Sequence, residues 1–264
     1  MEEAVAHVGS LTALDMVKMT GAEHAFRSAV RLGVKVTVVR RSEPEKGHNV
    51  LARSAISPVF GAFSMEYLVD MTTNVPDGTA DEAVTDMRAR EAARSSELIA
   101  QGHLVRLWRP PLKPGEWRTF GLFAAADDEE LESVLASMPL RVWRTDEVTP
   151  LSPHPNDPVP WPAQGPPEFL TAFTRTVPEG TPRSEVDDAI AGEARRAREL
   201  AAQGHLLRLW ALPPGSGPDA LGLWRAGDAA EMQAIMESLP LYPLMRVEIT
   251  PLTEHPSDPA RAGS

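Results

Sequence analysis

Hydrophobic spacing along the chain changes period in a fixed order, and the order occurs twice. An extended run at Glu66–Thr73 is followed by a helical pattern over 80–101 that stops at Gly102. Two further extended runs, Leu104–Arg109 and Thr119–Ala125, flank the Pro/Gly-rich turn Pro110–Gly115. A short helix is predicted over 127–137, ended by Pro139, and a last strand over 142–149. The second pass reads the same way: strand 168–176, helix 181–203, strands 206–212 and 220–226, helix 228–238 and strand 244–250. Each pass is therefore β-α-β-β-α-β.

Self-comparison shows why. Glu97–Trp108 reads ELIAQGHLVRLW and Glu199–Trp210 reads ELAAQGHLLRLW, differing only at Ile99/Ala201 and Val105/Leu207. The register extends outward to Val75-Pro76 and Val177-Pro178, then, after a one-residue deletion, to Pro139-Leu140 and Pro240-Leu241. Both copies close alike, with Thr149-Pro150-Leu151 and His154-Pro155 against Thr250-Pro251-Leu252 and His255-Pro256. The organisation that follows is an N-terminal segment 1–64, a first module 65–154, a proline-rich linker 155–167, a second module 168–259 and a tail 260–264. The linker holds six prolines, which remove backbone donors and fix φ, so it reads as a stiff connector. In the N-terminal segment, 21–32 has a helical pattern and 34–39 a strand pattern, too little apolar surface for a separate core.

This order is the ferredoxin-like arrangement, an α+β fold in which both helices cover one face of an antiparallel sheet. The other face needs a partner. With two modules on one chain, that partner is the second sheet, giving an intramolecular pseudo-dimer packed like a dimeric α+β barrel, with further homo-oligomerisation open.

Composition narrows the partners. A net charge of −11 argues against a nucleic-acid surface, which needs clustered Lys and Arg. No apolar run is long enough to cross a bilayer, and the acidic start Met1-Glu2-Glu3 lacks the basic flank of a secretory signal, so a cytoplasmic protein is expected. Cysteine is absent and the histidines show no helical ligand spacing, so no metal site is expected.

The ordered set Gly102, Arg106-Leu107-Trp108-Arg109, Met138-Pro139-Leu140, Val148-Thr149-Pro150-Leu151 and His154-Pro155 resembles the muconolactone Δ-isomerase family. The second copy keeps most of it, with Leu239-Pro240-Leu241-Tyr242-Pro243 closer to the family pattern and Ala211 where an arginine is expected. The resemblance spans about 65–158 and 167–259. It implies a cofactor-independent isomerase that moves a double bond in a small unsaturated lactone or related cyclic carbonyl compound by proton transfer. Two departures stand against that. Asp70 precedes Met71, and Ala172 precedes Phe173, where the family carries a basic residue, and Arg141-Val142 replaces an aromatic-proline step. They favour the alternative of a non-catalytic binding or assembly module that keeps the fold.

Candidate chemistry centres on the first helix of each module. Seven-residue spacing puts Val84, Glu91 and Leu98 on one line, and Val186, Glu193 and Leu200 on the matching one, so both glutamates face inward. A carboxyl against apolar groups has a raised pKa, as a general acid/base needs; the family glutamate lies at the same distance before the glycine. The plain alternative is a structural ion pair with Arg106 or Arg208 on the neighbouring strand. Were the site active, a dienolate would need a fixed cation, for which Arg106, Arg109 and Arg208 are the candidates. Alternation separates His103, Val105, Leu107 and Arg109 from Leu104, Arg106 and Trp108, and leaves open which set faces the helix. Trp108 and Trp210 are candidates for a ring pocket or for the core, and His103 and His205 for proton shuttles or helix C-terminal partners. His154 and His255 are read as parts of tails crossing the neighbouring module.

Overall fold

The computed structural model describes residues 64–158, 167–215 and 217–260. The N-terminal helix and strand patterns, and positions 159–166 of the linker, lie outside the described residues. The first module runs β1 (Met65–Thr73), α1 (Asp81–Gln101), β2 (Leu104–Arg109), β3 (Arg118–Ala125), α2 (Asp128–Ala136), a 3-10 turn (Pro139–Trp143) and β4 (Arg144–Pro153). The second runs β5 (Glu168–Arg175), α3 (Arg183–Ala202), β6 (Leu206–Ala211), β7 (Ala220–Arg225), α4 (Ala229–Glu237), a 3-10 turn (Tyr242–Leu244) and β8 (Met245–Glu254).

Local chemistry sets the element ends. Asp127 and Asp228 cap α2 and α4 by accepting the N–H of Glu130 and Glu231 at 2.9 and 2.8 Å. Helix α1 ends at Gly102, whose φ of 82° lies in the left-handed region that a side chain would strain. The last strands depart from the sequence reading at both ends. They start later, because the segments after Pro139 and around Pro243 coil into 3-10 turns, and they continue through Pro150 and Pro251 to Pro153 and Glu254.

That extension closes the molecule. All neighbouring strands are antiparallel, and their order is β1-β3-β2-β8-β5-β7-β6-β4, a closed barrel. Each module supplies a four-stranded sheet. The seams are Trp108 and Arg109 against Glu254 and Thr253, and Ser152 and Pro153 against Ala211 and Trp210. Closure removes edges that would otherwise be open to other chains. The chain is thus a pseudo-dimer in one polypeptide.

Three cores result. Leu98, Leu104, Leu107, Phe123 and Leu135 pack beneath the helices of the first module, and Leu200, Leu206, Leu209, Trp224 and Met236 do so in the second. The barrel interior holds Trp108, Leu122, Leu170, Leu207, Trp210 and Leu223, drawn from both modules. Among the described residues, no helix is long and apolar enough to cross a membrane.

Candidate active site

A bulge in β2 decides which side chains meet the helix. The β2–β3 register shifts between Leu104 and Arg106, and the β6–β7 register shifts between Leu206 and Arg208. The extra residue breaks strict alternation. Leu104 and Leu107 both face α1, whereas Val105 and Trp108 both join the barrel interior.

Arg106 follows the interior set, so the ion pair with Glu91 that the sequence offered as an alternative is not formed. Its guanidinium, 3 % exposed, bonds Glu168 Oε2 at 2.7 Å and Asp258 Oδ1 at 3.0 Å, both from the second module. Arg208 mirrors it, bonding Glu66 Oε2 of the first module at 2.6 Å and Asp157 Oδ2, just beyond β4, at 3.1 Å. Trp108 and Trp210 donate their indole N–H to the same Glu168 and Glu66, at 2.6 and 2.8 Å. These four residues therefore bind the modules together; none lines the cavities described below. His103 and His205 also stand elsewhere, each with Nδ1 3.0 Å from a carbonyl oxygen, of Ala124 and Arg225.

The inward position of the two glutamates is as the helical wheel predicts. Each lines a cavity between its own module's first helix and sheet, of about 400 Å³ for Glu91 and about 390 Å³ for Glu193. Leu140 N–H donates to Glu91 Oε2 at 2.8 Å, and Leu241 N–H donates to Glu193 Oε2 at 3.0 Å. Burial pushes both carboxyls above their ordinary range. At Glu91 the Leu140 N–H and the Arg144 charge oppose burial, while at Glu193 the Leu241 N–H alone does.

Beyond the glutamates the cavities diverge. Arg144 Nη1 lies 3.2 Å from Glu91 Oε1, and Arg144 Nε lies 2.6 Å from Asp146 Oδ1. Asp146 in turn bonds Arg141 at 2.7 Å, and Arg141 bonds Glu132 at 3.0 Å, making a charged chain that runs to the surface. Arg118 also lines the first cavity and is paired to Asp70, with Nε 2.8 Å from Oδ1. Arg88 sits 4.3 Å over the Trp117 ring, and Arg109, the predicted arginine that does reach a cavity, has no ion-pair partner among the described residues. The positions matching Arg88, Arg109, Arg118 and Arg144 in the second module are Ile190, Ala211, Asp219 and Met245, all lining its cavity.

The terminal segments do cross over, and they also reach the sites. His255 to Ser257 close the first cavity, and His154 to Asn156 the second. His154 N–H donates to Leu209 O at 3.2 Å, extending β4 along β6. In each ring Nδ1 accepts a backbone N–H at 3.1 Å, from Asn156 or Ser257, so the neutral ring carries its proton on Nε2. Burial lowers the pKa of both, with Arg109 adding to the effect at His255, which falls to about 4. Sequence reading missed Arg144, Arg118 and Arg88 as site residues; the visible signal was their lack of counterparts in the second copy.

A barrel of two ferredoxin-like sheets, with an acid-lined cavity under each first helix, defines the class of protein. Residues 65–157 and 168–258 match the family described as muconolactone delta-isomerase, and the chain belongs to that family. Muconolactone Delta-isomerase 1 of Acinetobacter lwoffii is 34% identical over 92 residues, 35% of this chain and 93% of that protein. Muconolactone Delta-isomerase of Cupriavidus pinatubonensis is 33% identical over 92 residues, 35% of this chain and 97% of its own length. A solved heme-binding protein from Thermus thermophilus covers 76% of this chain and 96% of its own, with a TM-score of 0.50 and 11% identity, a likeness of fold alone.

Proposed function

We propose that the chain is a cofactor-independent isomerase that shifts a double bond in a small, anionic unsaturated lactone, with turnover in the first cavity. The observation that carries this is Glu91, a half-buried carboxyl of raised pKa that lines a cavity shared with Arg88, Arg109, Arg118 and Arg144. Glu91 would take a proton from the carbon beside the double bond, and the C–H electron pair would enter a dienolate. The same carboxyl would return the proton at another carbon, so nothing is oxidised or reduced. A fixed guanidinium lowers the energy of the dienolate most where water is excluded, which suits Arg144, 2 % exposed. Arg109, exposed and without an ion-pair partner among the described residues, suits the substrate's carboxylate.

Arg106 and Arg208 hold no part in this chemistry, because neither lines a cavity; their guanidinium groups join the modules instead. The second reading, binding without turnover, is favoured at the second cavity, where Ala211 and Met245 replace Arg109 and Arg144.

Muconolactone and related lactones, offered to the full chain, would be followed by ultraviolet absorbance and by solvent deuterium incorporation. Glu91→Gln is expected to slow exchange by about 10²–10⁴-fold, the worth of a positioned general base, while Glu193→Gln leaves it nearly unchanged. Exchange unaffected by Glu91→Gln, or absent with every lactone, overturns the proposal.

A further inference from the structure

The second cavity keeps the size and the inward carboxyl of the first and has none of the first's four arginines at the matching positions. At about 390 Å³ it lies within the range of roughly 300–1,000 Å³ common to small-molecule sites. Its walls are apolar: Phe173, Leu209, Trp224 and Met245 line it beneath the helix residues Val186 and Ile190. Among the described residues one arginine, Arg175, lines it; that residue is exposed, and its backbone N–H donates to Asp219 Oδ2 at 2.6 Å. The other polar residues lining it are Glu193, Asn156 and His154, whose Nε2 carries the proton when the ring is neutral.

A carboxylate entering such a site would find one exposed arginine, Arg175, in place of the four of the first cavity, and would meet Glu193 and Asp219. An uncharged ring with one carbonyl oxygen loses little on desolvation, buries its ring against the apolar wall and accepts a hydrogen bond from a neutral donor. We propose that the second cavity is a separate binding site for an uncharged cyclic ketone or lactone, held by its apolar ring with the carbonyl oxygen accepting from the His154 Nε2–H. The two modules then differ in ligand charge, the first taking anions and the second neutral molecules. This requires no turnover at Glu91, so it stands or falls separately from the proposed isomerase.

Coumarin and coumarin-3-carboxylate form a matched neutral and anionic pair of probes. Binding of each to the full chain would be measured by isothermal titration. Wild type is expected to bind coumarin, Glu91→Gln to bind it equally well, and Ala211→Arg to bind it at least about tenfold more weakly while gaining affinity for the carboxylate. Ile190→Arg repeats the test at a helix position that is 47 % exposed, where an arginine threatens folding least. His154→Gln, which keeps an N–H donor, is expected to retain coumarin, and His154→Ala to lose it. Coumarin that does not bind, or that binds equally to wild type, Ala211→Arg and Ile190→Arg, overturns the proposal. So does coumarin-3-carboxylate binding as tightly as coumarin in a chain carrying Arg109→Ala and Arg88→Ala.

Discussion

The first cavity is wired with charge from Glu132 through Arg141, Asp146 and Arg144 to Glu91, whereas the same places in the second hold Gln233, Tyr242, Val247, Met245 and Glu193. A neutral hydrogen bond survives there, from Gln233 Nε2 to Tyr242 Oη at 2.9 Å, where the first module has an arginine–carboxylate pair. Both versions hold the turn that presents a backbone N–H to the glutamate. Positioning the carboxyl therefore does not require the charges. Their consequence is electrostatic: the Arg144 charge opposes the effect of burial on Glu91, the Asp146 charge adds to it, and Arg144 supplies a cation to whatever enters.

The comparison can be broken most severely at Arg144. Arg144→Met imports the second module's residue but leaves Glu91 and the buried Asp146 short of a partner, and loss of one member of a buried pair costs about 3–5 kcal/mol. Denaturant unfolding checks this, and Met245→Arg in the other cavity, where no aspartate waits, is expected to cost about 1–3 kcal/mol through overpacking.

The cross-module locks are what the two halves share, and they differ in depth of burial. Arg106→Met removes the guanidinium that bridges the buried Glu168 and Asp258, a loss of up to about 3–5 kcal/mol. Arg208→Met is expected to cost less, since its guanidinium is 11 % exposed against 3 % for Arg106. Equal costs in chemical denaturation would mean that exposure does not separate the two locks.

Smaller effects follow from proton linkage. The folded pKa of His255 is lowered from 6.5 to about 4, so its neutral form contributes stability above pH 6.5 that is lost as pH falls toward 4. His255→Gln should flatten the stability profile across that window. Glu193 has the opposite sign for an acid: its folded pKa is raised, so the stability it contributes is present at low pH and lost as pH rises through that pKa. Glu193→Gln is expected to stabilise the chain slightly at neutral pH and not below the ordinary glutamate range, read from melting temperatures.

Much of this was legible in order and period. The repeated ELxAQGHLxRLW segment, the β-α-β-β-α-β sequence of periods and the seven-residue line through Val84, Glu91 and Leu98 are local properties, and the structure keeps them. The partner of Glu91 was not legible. It is an arginine more than fifty positions away, brought in by the 3-10 turn after Pro139, and no spacing rule links the two. Arg106 misled for a related reason: strand alternation assumes an unbroken register, and one extra residue in β2 turned Val105 with Arg106 toward the barrel.

From the sequence alone came the duplication, the elements within each copy and the inward placement of two glutamates, because each depends on residues within a few helical turns or strand lengths. Tertiary structure decided which arginine meets which acid, and that His154 and His255 each serve the other module's cavity. The cross-module pairs and the histidine placements depend on barrel closure, which joins strands of different modules through β4 and β8 and so lies beyond any local pattern.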